Sequence, residues 1–181
     1  MLYCESNCKN HFENTDSGGG GGKAFNLLNF SAFMRYSVWY YKKLGIHIES
    51  PITYLCPDVY FDSANYSAIT IHSGVTISRE VMFLVHDYSV HTAMVNVGWE
   101  APKGKTAHFI KPISVGKDSF IGARVSLLPG TEIGENCIIG AGSVVKGKIP
   151  DNSIVIGNPA RVIGNTKDWA RKKLEIKDWV L

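Results

Sequence analysis

His86 is one of six histidines in this sequence, and histidine is the side-chain type that best suits general base catalysis near pH 7. It lies in the segment LVHDYS, at positions 84–89. A neutral imidazole near pH 7 can remove the proton of a hydroxyl group while the oxygen attacks a carbonyl carbon. Asp87 follows directly, but neighbouring side chains of an extended strand point to opposite faces, so it need not contact that imidazole. A lone histidine is more often structural, so the residue types alone leave His86 as one candidate base and Asp87 as a possible acceptor-binding or orienting group.

The composition indicates one globular domain without the charge pattern of a nucleic-acid binder. The chain has 181 residues, of which 45% are hydrophobic, and this is enough for a core of its own. Its net charge of +3 comes from 19 basic and 16 acidic residues without a long basic run, so we expect no nucleic acid as partner. The four cysteines form no CxxC pair and no signal-peptide pattern is present, which together favour reduced thiols and a cytoplasmic location.

The two ends of the chain differ in pattern from its centre. Residues 1–23 are polar and end in a glycine run, a composition typical of a flexible tail. Apolar residues recur at helical spacing over 24–45, which predicts an amphipathic helix that either docks on the protein or lies on a membrane surface. Its polar residues argue against a membrane span. A second helix is predicted at 165–181.

A strict six-residue period runs through the second half of the chain. Aliphatic residues return at every sixth position: Val115, Ile121, Leu127, Ile133, Ile139 and Val145. A second set, four positions later and mostly small or β-branched, consists of Ser119, Val125, Thr131, Cys137, Ser143 and Ile149. Two inward positions in six residues describe a short strand and a turn, which can bury its inward face only by stacking on similar units. The period therefore predicts a stacked prism.

A weaker copy of the same frame precedes the strict one. It passes through Val59, Asn65, Ile71, Ile77 and Phe83. The frame places the start of the prism near residue 52 and its end near residue 164. The distance from the last of these residues to Val115 is not a multiple of six, so we predict an excursion loop at about 88–111.

The segment 112–164 resembles the closing coils of the hexapeptide-repeat acetyltransferases, which include galactoside, maltose and other sugar O-acetyltransferases. Its most specific parts are IGAGSVV at 139–145 and GNPARVIG at 157–164. The resemblance implies an all-β fold class, a left-handed parallel β-helix to which the predicted N-terminal helix and short C-terminal helix are added. It also implies a homotrimer with active sites between neighbouring subunits, acetyl-CoA as the donor and no metal.

The same resemblance implies which residues bind the donor. Phe120 takes the place of a tryptophan found along the pantetheine arm in many relatives. The groove beside it would be lined by Gly122, Ala123 and Ala141, and the adenosine end would be held by Lys146, Gly147, Asn158 and Arg161. Relatives often have Thr-Lys at positions 146 and 147, so the lysine that binds phosphate could be Lys146 or Lys148. A guanidinium group forks well onto phosphate oxygens, which suits Arg161.

For the reaction itself, His86 lies in the last coil before the excursion loop, where this family places its catalytic histidine. The oxyanion of the intermediate needs a preorganised donor, and a backbone N–H at a glycine corner such as Gly122 could serve. The HDYS setting favours a sugar or glycan hydroxyl as acceptor, although an amino-sugar nitrogen stays open. Candidate acceptor-binding residues, or simply solvated or anchoring ones, are Asp58, Asp62, Asn65 and Trp99.

Two other interpretations use the same fold. In γ-type carbonic anhydrases three histidines bind zinc and two of them are spaced H-x4-H, as are His86 and His91, with His72 upstream. Because the register breaks directly after Asp87, we expect His91 to lie in the loop, away from the position needed for zinc. A non-catalytic trimeric scaffold is disfavoured because His86 and Arg161 both fall on family positions.

Overall fold

The computed structural model describes residues 30–177 and 179–180 of the chain. The predicted tail at 1–23 and the first residues of the predicted helix, 24–29, lie outside the described residues. Three α-helices are present in the described part: α1 (Phe30–Leu44), α2 (Ser89–Asn96) and α3 (Thr166–Ile176).

Short strands form the three faces of a prism. Face 1 contains β1 (His47–Ile48), β4 (Ile69–Ile71), β9 (Ile113–Val115), β12 (Glu132–Ile133) and β15 (Lys148–Ile149). Face 2 contains β2 (Tyr54–Leu55), β5 (Thr76–Ile77), β10 (Phe120–Ile121), β13 (Ile138–Ile139), β16 (Ser153–Gly157) and the antiparallel β17 (Ala160–Asn165). Face 3 contains β3 (Tyr60–Phe61), β6 (Met82–Phe83), β11 (Ser126–Leu127) and β14 (Val144–Val145). A separate hairpin pairs β7 (His86–Asp87) with β8 (Phe109–Ile110).

The core follows the six-residue period of the sequence. Both predicted sets of inward residues, from Val115 to Val145 and from Ser119 to Ile149, are buried. Successive regular coils repeat after eighteen positions, so that Phe120 pairs with Ile138. Each fully buried aliphatic side chain contributes about 1.5–3 kcal/mol of transfer free energy, and this energy is gained only when coils stack. The predicted packing of the regular coils is confirmed.

Glycines at the corners allow the coils to approach each other closely. A Cβ added at Gly116 would lie 2.4 Å from the carbonyl oxygen of Gly134 in the next coil. A Cβ added at Gly122 would lie 2.7 Å from the amide nitrogen of Ala141. Both distances are well below van der Waals contact, so the stacking distance itself requires glycine at these positions.

The first coil departs from the predicted frame. Tyr60 pairs with Met82, twenty-two positions later, because the turn between faces 3 and 1 holds four extra residues that include a 3₁₀ turn at Tyr66–Ala68. Asn65 is therefore not an inward residue but the N-cap of that turn, and Phe61 takes the inward position. The prism also begins earlier than residue 52, since β1 at His47–Ile48 already pairs with β4.

Helix α1 covers the first coil. Its Met34, Val38 and Tyr41 pack partly buried against the core, and the Tyr41 ring meets the Phe61 ring edge-on at 4.6 Å. These contacts favour docking on the protein over attachment to a membrane surface. Within the described ranges, no helix has the length and apolarity that crossing a bilayer requires.

The excursion and the C-terminal segment contain more structure than the sequence pattern indicates. The predicted loop at 88–111 contains helix α2 and strand β8. The chain after Gly157 turns back as β17 along β16 before α3 begins. The α3 side chains Trp169, Leu174 and Ile176 are exposed in the single chain.

Candidate active site

The corner between faces 3 and 1 brings His86 and Asp62 together. Asp62 follows β3, and its amide donates a hydrogen bond to the carbonyl oxygen of Phe83 in the next coil. Strand β6 ends at Phe83. Three residues later, His86 begins the hairpin that leaves the prism. The longer turn of the first coil, which breaks the six-residue frame, thus begins at Asp62, whose carboxylate faces His86.

Asp62 holds His86 through the side chain and the backbone together. Nδ1 of His86 makes a short hydrogen bond to Oδ2 of Asp62. The same oxygen accepts hydrogen bonds from the amides of Val85, at 3.0 Å, and His86, at 3.2 Å, while Oδ1 accepts one from the amide of Ala64 at 3.0 Å. The Asp62 side chain is 2% exposed and that of His86 is 29% exposed.

This geometry defines the charge of Asp62 and the tautomer of His86. Burial alone would raise the pKa of Asp62, but the hydrogen bonds from the Ala64 amide, the His86 ring and the two neighbouring amides outweigh it and lower that pKa. An ionised carboxylate on Nδ1 keeps the ring proton there, which leaves the lone pair of Nε2 free to accept a proton.

The hydrogen bond of Asp87 goes to a different partner. Its Oδ1 accepts a hydrogen bond from the Ser89 amide at 2.8 Å, where α2 begins. Hydrogen bonds from Ser89 lower the pKa of Asp87, and the positive charge of Lys146 lowers it further. Asp62, and not Asp87, is therefore the carboxylate that orients His86.

The predicted donor-binding residues fall at two different corners of the prism. Lys146 and Gly147 follow β14 at the corner between faces 3 and 1, the same corner as His86. Gly122, Ala123 and Ala141 lie at the corner between faces 2 and 3. One width of face 3 separates the two groups within a single chain.

The remaining donor-binding candidates lie beside the second group. Phe120 is on the outer surface of face 2 and is 43% exposed. Asn158 is at the turn between β16 and β17, and Arg161 is an exposed residue of β17 whose guanidinium donates to the carbonyl oxygen of Ala160. Arg161 and Lys146 are both exposed cations, which is compatible with contact to phosphate.

The suggestion that the Gly122 amide stabilises an oxyanion is wrong. That amide donates a hydrogen bond of 2.8 Å to the carbonyl oxygen of Ile139 in the next coil. It belongs to the strand ladder that joins successive coils, and its hydrogen is directed along the prism and not toward a substrate.

The predicted acceptor-binding residues are dispersed. Asn65 lies in the turn that also carries Asp62, and its Oδ1 accepts a hydrogen bond of 2.7 Å from the Ser67 hydroxyl. Asp58 is at the other corner, where it accepts from the amide of Glu80 at 3.1 Å and faces Arg79. Trp99 follows α2 and meets the His91 ring edge-on at 5.9 Å.

The histidines needed for the zinc interpretation do not converge. His91 lies in α2, where its Nδ1 accepts a hydrogen bond from the Ala107 amide at 3.1 Å. His72 is paired with Glu49 at 3.0 Å at the corner between faces 1 and 2. Among the described residues, no three His, Cys, Asp or Glu side chains are grouped so that they could hold a metal ion.

Sequence reasoning did not identify Asp62 as the partner of His86. The sequence does contain a signal for this pair. Phe61 and Phe83 are equivalent inward residues at the ends of neighbouring face 3 strands, so the residues that follow them, Asp62 and the segment that leads to His86, lie at the same corner. Recognising it requires the twenty-two-residue offset between these coils, whereas the predicted frame assumed multiples of six.

Comparison with known proteins agrees with the fold. Residues 112–147 match the family model described as Bacterial transferase hexapeptide (six repeats). The chain is 31% identical over 100 residues to a protein of Saccharomyces cerevisiae provisionally named an acetyltransferase, in an alignment that covers 55% of this chain and 50% of that protein. The chain spans half or less of the length of the first curated relatives that it matches.

Two solved structures are similar over most of the chain. A galactoside acetyltransferase in complex with coenzyme A is 27% identical with a TM-score of 0.54, and the match covers 81% of this chain and 78% of that one. A maltose O-acetyltransferase from Clostridium difficile is similar in fold, with a TM-score of 0.55, 20% identity, and coverage of 91% and 87%. The described chain thus has the fold of these two structures, a left-handed β-helix, and the predicted resemblance to hexapeptide-repeat acetyltransferases is confirmed.

Proposed function

We propose that this protein is an acetyltransferase that moves the acetyl group of acetyl-CoA to a hydroxyl of a sugar or glycan, with His86 as general base. The observation that carries the proposal is the pair formed by His86 and Asp62. A buried, ionised carboxylate that holds Nδ1 while Nε2 keeps its lone pair is the arrangement that general base catalysis by histidine requires. The resemblance to hexapeptide-repeat transferases supplies the donor, and the pair supplies the chemistry.

The chemistry follows from the tautomer. Nε2 of His86 takes the proton of the acceptor hydroxyl as its oxygen attacks the thioester carbonyl carbon, which gives a tetrahedral oxyanion. The negative charge of Asp62 stabilises the imidazolium formed at this step. The carbon–sulfur bond then breaks, the thiolate of coenzyme A leaves, and the imidazolium returns its proton to the sulfur. The products are the acetyl ester and free coenzyme A.

Acetyl-CoA is a substrate of this reaction, and the exposed groups of the chain suit its parts. Arg161 and Lys146 provide cations for its phosphates, and Lys148 is a further exposed cation two residues after Lys146. Phe120 offers an exposed ring to the apolar section of the pantetheine arm. The structural similarity to a galactoside acetyltransferase that was crystallised with coenzyme A supports the same donor here.

The division of these residues between two corners supports a homotrimer. If one chain supplies His86 and the corner with Gly122, Ala123 and Ala141 comes from a neighbour, a complete site forms between subunits. The exposed apolar side chains of the C-terminal segment, Val162 and Ile163 on β17 and Trp169 on α3, would then be available for contact between subunits. A cytoplasmic location is part of this proposal and depends on the reduced thiols predicted from the sequence.

The proposal is tested by transfer from acetyl-CoA to a panel of acceptors. The panel contains methyl glycopyranosides, maltose, amino sugars, a nucleotide sugar and serine, and release of the coenzyme A thiol is followed together with the mass of each product. We expect O-acetylation of at least one sugar. Acetylation only at nitrogen would change the acceptor class, and no binding of acetyl-CoA by calorimetry would contradict the proposal altogether.

The shared site has its own test. His86→Ala and Arg161→Ala are each expected to be inactive or nearly so, and mixed oligomers that contain both should regain part of the activity if the two residues act across a subunit boundary. Sedimentation equilibrium measures the number of subunits directly. A monomer with full activity would contradict the trimer while leaving the role of His86 intact.

A further inference from the structure

The hairpin of β7 and β8 has two chemically different sides. His86 pairs with Ile110, and Asp87 pairs with Phe109. His86 and Ile110 therefore share one side of the paired strands, and Tyr88 and His108 lie just beyond the strand ends. Ring contacts place both residues on the His86 side: the Tyr88 ring meets the His86 ring at 5.0 Å and the His108 ring at 4.7 Å.

The opposite side of the hairpin is polar and charged. Asp87 lies there, close enough to Lys146 for the lysine to lower the pKa of its carboxyl. The ammonium group of Lys111 lies over the Phe109 ring at 5.1 Å from its centre. Charged groups thus lie on this side of the hairpin, and the His86 ring also acts electrostatically on the Asp87 carboxyl.

The aromatic side remains open to solvent. Tyr88 is 46% exposed and Ile110 is 40% exposed, and His108 is exposed as well. The His108 ring is oriented by its Nδ1, which lies 3.2 Å from the carbonyl oxygen of Thr106. Two rings at fixed positions beside the catalytic imidazole form a surface that presents apolar faces to whatever approaches Nε2.

We propose that Tyr88 and His108 form a stacking platform that binds the ring of a cyclic acceptor and delivers one of its hydroxyls to His86. This inference rests on the proposed acetyl transfer and adds to it the residues that select the acceptor. The C–H groups on one face of a pyranose pack on an aromatic ring, whereas an open-chain polyol with similar hydroxyls offers no such flat face.

The placement of Trp99 strengthens the choice of Tyr88 and His108. Trp99 packs against His91 of α2, and its amide donates to the carbonyl oxygen of Met94. These contacts hold the chain after α2 against the helix, so Trp99 has a structural role there. Tyr88, by contrast, is in contact with the His86 ring itself.

The test compares pyranosides with an open-chain polyol in the full-length protein. Methyl glucopyranoside, methyl galactopyranoside and sorbitol are assayed as acceptors with acetyl-CoA, and their binding is measured separately by saturation-transfer NMR. Tyr88→Ala and His108→Ala are each expected to raise the KM for a pyranoside about 5- to 50-fold, whereas Tyr88→Phe, which keeps the ring, should change it less than about threefold. The KM for acetyl-CoA should stay unchanged in all three variants.

The matched control is Tyr40→Ala, which removes a similarly exposed tyrosine from α1, outside the hairpin. It should leave the KM for every acceptor unchanged. Unaltered pyranoside KM and binding in both Tyr88→Ala and His108→Ala would overturn the inference, as would equal binding of sorbitol and pyranosides, or no pyranoside binding by the unmodified protein. Pyranoside binding that depends on Tyr88 without acetyl transfer would instead support the platform and contradict the proposed activity.

Discussion

The regular coils from β9 to β14 and the first two coils from β1 to β6 use the same prism for different purposes. In the regular coils every turn has the same length, and residues of adjacent coils pair eighteen positions apart. Between the first two coils the pairing offset is twenty-two or twenty-three, mainly because the turn after β3 is longer. Asp62 is placed at that turn, and His86 lies where the second coil opens into the hairpin. The regular coils therefore form a uniform stack, whereas the longer turn and the hairpin of the first two coils bring Asp62 and His86 together.

The largest expected effect comes from the residue at the opening of the second coil. His86→Ala should lower turnover about 10²- to 10⁴-fold with the fold intact, because the general base is removed. The matched control is His72→Ala, since His72 is paired with Glu49 at another corner and should be dispensable for activity. Circular dichroism and steady-state kinetics measure the two properties. Near-normal turnover of the His86 variant would end the assignment.

The second largest loss of turnover is expected from a change at Asp62. Asp62→Asn keeps the size of the side chain but removes its charge and places an amide against Nδ1 of His86, so turnover should fall about 10²-fold or more. Asp118→Asn is a suitable control because Asp118 is an exposed corner residue with a positive φ that asparagine also tolerates. Steady-state kinetics should show a fall in kcat for the first variant alone. Equal activity of both variants would show that Asp62 does not assist His86.

Away from the proposed donor-binding residues, the regular coils should be sensitive in stability and not in chemistry. Gly116→Ala introduces a Cβ 2.4 Å from the carbonyl oxygen of Gly134, and relieving this contact should cost about 1–3 kcal/mol of the free energy of unfolding. Gly164→Ala is the control, since its added Cβ would meet only Ile154 at 3.8 Å. Denaturant unfolding measures both. A neutral Gly116 variant would mean that the corners are less closely stacked than described.

A smaller effect concerns pH. The pKa of Asp62 is lower in the folded chain than in the unfolded chain, so its carboxylate contributes stability that is present above about pH 4, the usual unfolded value, and is lost as pH falls through the lower folded value. The unfolding free energy of the parent protein should therefore decrease more steeply than that of Asp62→Asn as the pH is lowered below about 4. Parallel curves would contradict the assigned hydrogen bonds.

The sequence predicted much of the prism but only part of the site. The regular coils could be predicted because Ile121 and Ile139 occupy equivalent positions in units of constant length, and each unit repeats the same local requirement for burial. The first coil could not be framed correctly, since the length of its turn after Phe61 leaves no trace in the six-residue period. His86 was identified through its position before the excursion. Its partner required the actual pairing of β3 with β6.

By itself, the sequence determined the inward residues of the stack, the glycines at its corners and the histidine that interrupts it. These features depend on neighbours within a few positions or on a constant repeat. Only the tertiary structure decided that Asp62, and not the adjacent Asp87, holds the His86 ring, and that Tyr88 and His108 share its side of a hairpin. The physical reason is that strand pairing sets which side chains meet, and pairing across insertions of irregular length is fixed by packing of the whole coil.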